Sequence, residues 1–128
     1  KNGADIVVGN HPHVIQGLRT AEGKTTLWSL GNFVFGGNKE VKSIRTYIAR
    51  FTLSFEEDGT YLGHQLNIIP AHMSGTREYN NYQPVLVNDE AEAAKILSAI
   101  QYDVTKMKLK PWQPGIGALQ EFVPAPNP

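Results

Sequence analysis

A short apolar strand that runs directly into two histidines decides the fold of this chain: Gly3-Ala4-Asp5-Ile6-Val7-Val8-Gly9-Asn10-His11-Pro12-His13. Residues 6–8 form the β-branched run that is typical of a parallel strand covered on both faces. His11 and His13 follow the carboxyl end of this strand. In open α/β sheets, ligands bind beyond that end of the strands. The segment therefore predicts a central strand with a binding site at its end.

The histidine pair predicts a metal site. In extended backbone, residues i and i+2 point to the same side, and Pro12 favours extended geometry at His11. We therefore expect the His11 and His13 imidazoles to converge on a divalent metal ion, for which neutral imidazole is a common ligand. A catalytic zinc needs at least three protein ligands, so others must come from elsewhere. Hydrogen-bonded structural histidines or a pH-sensitive contact remain the alternatives at this point.

The composition excludes several classes of function. The chain has 128 residues, enough for one domain. Twelve Lys and Arg balance twelve Asp and Glu, so charge favours neither nucleic acid nor an anionic membrane as a partner. The sequence has no cysteine, which excludes disulfides and thiolate zinc sites. It also has no apolar run of the roughly 20 residues that a membrane segment needs.

Two antiparallel hairpins are predicted after the histidines. Residues 21–24 contain a turn between two short apolar stretches. Residues 47–55 alternate with period two, and residues 60–69 return as a second strand after an Asp-Gly turn. Pro70 is expected to end that strand because proline lacks an amide donor. His64 is then expected in a half-buried strand, and His72 in a surface loop.

The glycine-rich loop that follows the first hairpin holds a further candidate. Residues 31–38 contain three glycines and two asparagines, a composition that predicts backbone at positive φ. Asn32 is a candidate substrate-binding residue, since its amide can orient a phosphate or carboxylate; an ordinary turn asparagine is the alternative. Phe33 and Phe35 are expected in the core.

One helix is predicted near the end of the chain. Asp89 and Glu92 have the spacing of a capping box, and apolar residues follow at helical spacing: Ala93, Ile96, Leu97 and Ile100. The helix is expected over about residues 89–101. We predict a domain over residues 1–102 and a weakly ordered extension over residues 103–128.

Two blocks of this sequence together resemble a known family. The first is residues 3–17, which include the strand and both histidines, and the second is Trp28-Ser29-Leu30-Gly31-Asn32-Phe33-Val34-Phe35. Their order and spacing are similar to those of the bacterial capsule synthesis protein CapA family, the poly-gamma-glutamate biosynthesis proteins with a calcineurin-like metallophosphoesterase fold. The resemblance is strong over about residues 3–36.

The resemblance implies a fold and a cofactor. The fold is α/β with a mixed sheet (α+β), and this chain is expected to be the C-terminal half of a four-layer sandwich. His11 and His13 would correspond to the last metal-ligand motif of the superfamily. Its earlier motifs, a Gly-Asp, an Asn-His element and a further His, would precede Lys1. The implied cofactor is a divalent metal (Mn, Zn or Fe), and the implied partner is the missing N-terminal half of the same protein.

The function hypothesis follows from this resemblance. We expect a portion of a capsule or poly-gamma-glutamate biosynthesis protein at the bacterial cell surface. Its histidines would contribute to a metal-dependent, phosphoesterase-like hydrolase site for an anionic polymer or a phosphorylated small substrate. The alternative is a non-catalytic binding or assembly module of a cell-surface polymer machine. A third reading is a homo-oligomer formed by strand exchange at an exposed sheet edge.

Overall fold

The computed structural model of the protein describes residues 3–37, 39–40, 42–101 and 108–126. In these residues, eight strands form two sheets, and one helix accompanies them. The elements are β1 (Ile6–Val8), β2 (Leu18–Ala21), β3 (Lys24–Leu27), β4 (Arg45–Phe55), β5 (Tyr61–His72), β6 (Val85–Leu86), α1 (Glu90–Gln101), β7 (Ala118–Leu119) and β8 (Val123–Pro124). This arrangement confirms the mixed α/β fold class, whereas the four-layer sandwich stays a prediction.

The first sheet contains β1, β3 and β2 in that spatial order. β2 runs antiparallel to β3, which confirms the predicted hairpin. β1 runs parallel to β3, a pairing that was not predicted from the sequence. The two-residue turn between β2 and β3 has φ values of 53° at Glu22 and 73° at Gly23. Positive φ at both turn residues matches the right-handed twist of the strands, so this turn fixes the register of the hairpin.

β1 is less covered than its sequence predicts. Val7 and Val8 are 46% and 56% exposed, so the prediction of a strand buried on both faces is wrong for the described part of the chain. β1 lies at the edge of its sheet, with β3 as its sheet partner. Burial on both faces requires further layers packed above and below the strand.

The second sheet is built on the long antiparallel hairpin of β4 and β5. Its strands confirm the predicted hairpin, but β5 continues past Pro70 to His72. The expected strand end at Pro70 is therefore wrong, and so is the expected loop position of His72. The carbonyl of Pro70 accepts a hydrogen bond from the Val87 amide at 3.0 Å. The backbone N and O of one residue in an antiparallel ladder face the same neighbour. Pro70 therefore faces residue 87, beyond the last β5–β6 pair, and its missing amide hydrogen does not interrupt the ladder between β4 and β5.

Three short strands share the other edge of β5. β6 pairs with residues 71–72, β7 with residues 67–68 and β8 with residues 63–64. Residues 118–119 and 123–124 are therefore part of the sheet, in contrast to the weakly ordered extension expected there. Strands of two residues are too short to show a period in the sequence. The predicted domain boundary between residues 102 and 103 lies outside the described residues.

The core lies between the helix and the two sheets. The predicted apolar stripe of α1 is confirmed, since Ala93, Ile96 and Ile100 are fully buried. These side chains belong to one cluster with Leu66 and Ile68 of β5. Among the described residues, no helix combines the length and apolar character needed to span a membrane.

Hydrogen bonds from polar side chains connect the first hairpin and the chain that follows it to the second sheet. The Thr46 hydroxyl donates to the Leu30 carbonyl at 2.7 Å. The Thr25 hydroxyl lies 2.7 Å from Nε2 of His64, and the Tyr61 hydroxyl lies 2.6 Å from its Nδ1. Burial lowers the pKa of His64. His64 is thus a fully buried strand histidine with both ring nitrogens satisfied.

Glu92 joins the helix to the second sheet. Its amide donates to the carboxylate of Asp89 at 2.8 Å, which caps the helix as the sequence predicts. Its carboxylate accepts hydrogen bonds from Arg45 at 2.7 and 3.3 Å, and lies 3.1 Å from Nε2 of His72. Hydrogen bonds from Arg45, and then from His72, lower the pKa of Glu92 to about 2. The carboxylate therefore stays ionised while it is largely buried.

The first prediction concerns Gly9, which lets β1 approach β3 closely. A Cβ atom at Gly9 would lie 2.3 Å from the carbonyl oxygen of Trp28. Gly9→Ala is expected to lower the free energy of unfolding in urea by about 1–3 kcal/mol, the usual cost of overpacking. Gly36→Ala is the matched control, since a Cβ there meets nothing within 4 Å. Equal unfolding free energies for the two variants would contradict this close approach.

The second prediction concerns the acid stability that Glu92 provides. The pKa of Glu92 is lowered on folding, to about 2 from an ordinary value of 4.5. Its stabilisation is therefore complete above pH 4.5 and is lost as the pH falls towards 2. We expect Glu92→Gln to lower the free energy of unfolding by about 2 kcal/mol at pH 7 and to remove this part of the acid dependence. An unchanged slope between these pH values, measured by urea unfolding, would show that the carboxylate contributes no such stability.

Candidate functional site

The hairpin register brings His13 and Asn32 together. His13 precedes the turn Glu22-Gly23 by nine residues, and Asn32 follows it by nine. The register of β2 and β3 continues beyond the strands in a bridge between Ile15 and Leu30. Since antiparallel partners lie at equal distances from the turn, His13 and Asn32 become neighbours across the two chain segments.

A short hydrogen bond connects these two side chains. Nδ1 of His13 lies 2.6 Å from Oδ1 of Asn32. An amide oxygen only accepts hydrogen bonds, so the assigned amide orientation places the proton on Nδ1 of His13. In the neutral ring, Nε2 is then left with its lone pair. Protein metal sites commonly fix a ligating histidine in this way, through a hydrogen bond at its other nitrogen.

His11 lies beside His13, but not through extended backbone. The φ values are 106° at His11 and 61° at His13, so the predicted extended geometry is wrong at both residues. The Asn10 side chain accepts a hydrogen bond from the His11 amide at 2.6 Å and stabilises a local turn instead. The two rings nevertheless remain neighbours, with centroids 6.3 Å apart. Non-glycine residues at positive φ are uncommon and cluster at functional sites.

A cleft of about 380 Å³ opens beside His13. Its walls include Asn32 and Phe35, together with Glu40 and Lys42, which sequence reasoning missed. Phe35 was expected in the core, but its ring packs against His13 with centroids 5.0 Å apart. Phe33, also expected in the core, is 40% exposed. The φ of 80° at Gly31 confirms positive φ in this loop, a conformation that glycine adopts readily.

In the part of the chain that the structure describes, His11 and His13 are the two candidate metal ligands near the cleft. Both His11 and His13 are exposed residues, and Nδ1 of His13 is already bonded to Asn32, so Nε2 is the nitrogen of His13 that could bind an ion. Within residues 3–37, 39–40, 42–101 and 108–126, no group of three His, Cys, Asp or Glu side chains is placed to hold a metal. Asp5 pairs at 3.8 Å with Lys24, away from the histidines. Metal binding by His11 and His13 therefore stays a prediction.

Comparison with known proteins assigns the segment that carries this site. Residues 1–37 match the sequence model of a family described as bacterial capsule synthesis protein PGA_cap. The resemblance inferred from the sequence is thus confirmed for this segment, which contains His11, His13 and Asn32.

Two curated relatives give the same result. The chain is 54% identical over 33 residues to the PGA biosynthesis protein CapA of Bacillus subtilis (strain 168). It is also 54% identical over 33 residues to the capsule biosynthesis protein CapA of Bacillus anthracis. Each alignment covers 26% of this chain. The aligned part spans 9% of the length of the first relative and 8% of the second.

The third prediction tests the hydrogen bond between Asn32 and His13. We expect the neutral His13 ring to carry its proton on Nδ1, and Asn32→Ala to lower the population of this tautomer, since the acceptor is removed. Ring ¹⁵N chemical shifts in solution NMR measure both states. Asn10→Ala is the control, because Asn10 contacts the His11 backbone instead. A wild-type ring protonated on Nε2 would contradict the assignment.

Proposed function

We propose that this chain is part of a CapA-type capsule biosynthesis protein in which His11 and His13 bind a divalent metal. The observation that carries the proposal is the hydrogen bond from His13 to Asn32, within the segment that matches the family. In the neutral ring this bond leaves the lone pair of Nε2 free, and it fixes the orientation of the ring, as a metal ligand requires.

The chain's own residues have separate tasks in this proposal. His13 presents Nε2 at the mouth of the cleft, and Asn32 holds the ring in one tautomer. His11 supplies a second imidazole from the same turn. The Phe35 ring packs against the His13 ring, with centroids 5.0 Å apart. A bound divalent ion would supply Lewis-acid activation of water or of the scissile group.

The wall of the cleft and the names of the relatives support a class of substrate and a location. Lys42 in the cleft wall offers a cation to an anionic substrate, which fits a phosphorylated small molecule or an anionic polymer. Further ligands are proposed to come from an N-terminal half of the same protein. The names of the relatives, which refer to capsule and PGA biosynthesis, support a role at the bacterial cell surface.

A non-catalytic binding or assembly module remains the second candidate. One observation favours it: within the described ranges, no third ligand accompanies the two histidines. In that case, the turn around Pro12 would serve as a structural element, and metal would not bind there. Metal titration separates the two functions.

The fourth prediction is therefore a metal titration of the 128-residue chain. We expect Zn²⁺ and Mn²⁺ to bind, and His11→Ala and His13→Ala each to weaken binding about tenfold or more, because each removes one of two ligands. Isothermal titration calorimetry measures the affinity. His72→Ala is the matched control, since His72 contacts Glu92 away from the cleft. Absent binding, or binding that survives both site variants, would favour the assembly module.

A further inference from the structure

We infer that Asn80 is a positioning residue for the His13 cleft. Asn80 lies outside the segment that matches the family and comes from the polar loop between β5 and β6. It is 1% exposed. The metal-binding part of this inference rests on the proposed function, whereas the NMR part does not.

Asn80 connects its own loop to the wall of the cleft. Its side-chain amide donates to the Phe35 carbonyl at 2.8 Å. Its backbone amide donates to the Lys39 carbonyl, also at 2.8 Å. These two bonds hold Phe35 and Lys39, and Lys39 precedes the cleft residue Glu40. Gly36 and Gly37, which follow Phe35, have little conformational preference of their own, so the position of the Phe35 main chain depends on such external contacts.

The loop that carries Asn80 is held together by its own hydrogen bonds. Ser74 is 1% exposed, and its hydroxyl accepts a hydrogen bond from the Asn81 amide at 3.1 Å. The Asn81 side-chain oxygen accepts the amides of Gly75 and Gln83 at 3.0 and 3.2 Å. Oδ1 of Asn80 accepts a hydrogen bond from the Tyr82 amide at 2.9 Å. These bonds hold Asn80 in place, so its contacts to the cleft wall cost little additional conformational entropy.

The path from Asn80 to the histidine is short. Asn80 holds the Phe35 carbonyl, and the Phe35 ring packs against His13. On its other side, His13 bonds to Asn32. The His13 imidazole is thus oriented by the hydrogen bond at its Nδ1 and by contact with the Phe35 ring. Asn80 in turn holds the main chain of Phe35. Groups that orient a ligating histidine tune its metal affinity without touching the metal.

Asn67 provides a matched control for this role. It is 4% exposed, and its side-chain amide donates to the Ile116 carbonyl at 2.7 Å. The same interaction, between a buried asparagine and a main-chain carbonyl, therefore exists far from the cleft in the β5–β7 region. Loss of either bond is expected to lower stability to a similar extent, but only loss of the Asn80 bond should change His13.

The fifth prediction compares Asn80→Asp, Asn80→Ala, Asn67→Ala and Phe35→Leu in the full 128-residue chain. Asn80→Asp keeps the acceptor for Tyr82 and loses the donor to Phe35. In metal-free protein, we expect both Asn80 variants to shift the His13 ring ¹⁵N signals and weaken ring contacts between His13 and Phe35 in nuclear Overhauser spectra. Phe35→Leu should reproduce the ¹⁵N shift even if the Asn80 variants unfold. Asn67→Ala should leave the His13 signals unchanged.

The outcomes separate this inference from the proposed function. With Co²⁺ as the probe, Asn80→Asp should raise the dissociation constant for Co²⁺ about tenfold. This is the lower end of the effect that residues orienting a metal ligand have on metal affinity. Shifted His13 signals without any Co²⁺ binding in the wild type would support the positioning role and contradict the metal proposal. Unchanged His13 signals in folded Asn80 variants or in Phe35→Leu, or an equal change in Asn67→Ala, would overturn the positioning role.

Discussion

The two-residue turn at Glu22-Gly23 is the constraint on which the candidate site depends. Its two positive φ values set the register of β2 and β3, and that register continues through the Ile15–Leu30 bridge to His13 and Asn32. A slip by one residue would place a different side chain opposite His13, because neighbouring residues point to opposite faces. The site is thus built by backbone geometry about nine residues away from it.

Polar contacts then fix the two sheets and the helix around this hairpin. Thr25 and His64 connect the first sheet to β5, while Glu92 connects α1 to Arg45 at the start of β4. Buried polar groups are costly unless they are paired, so such contacts favour one arrangement of the elements over others. The apolar core provides most of the driving force, and these contacts determine how the sheets and the helix pack against one another.

Much of the fold follows from the sequence, and the reasons for the exceptions are physical. The structure confirms the strand predicted over residues 47–55 and the helix stripe that ends at Ile100. The predicted apolar face of the strand is not buried throughout, since Leu53 and Phe55 are 48% and 55% exposed. Pro70 was misjudged because the lack of a donor matters only where a neighbour needs one. The pairing of His13 with Asn32 could be predicted from the sequence, because the two residues lie at equal distances from the Glu22-Gly23 turn. Asn80 was not, since no local pattern indicates which distant carbonyl a loop asparagine will bind.

A double-mutant cycle between His13 and Asn32 tests the central claim most directly. The free energy of unfolding is measured for the wild type, His13→Ala, Asn32→Ala and the double variant. The account predicts a coupling energy of about 1 kcal/mol, the usual net value of one hydrogen bond between side chains. Additive effects of the two substitutions would mean that the hairpin register does not bring these residues together.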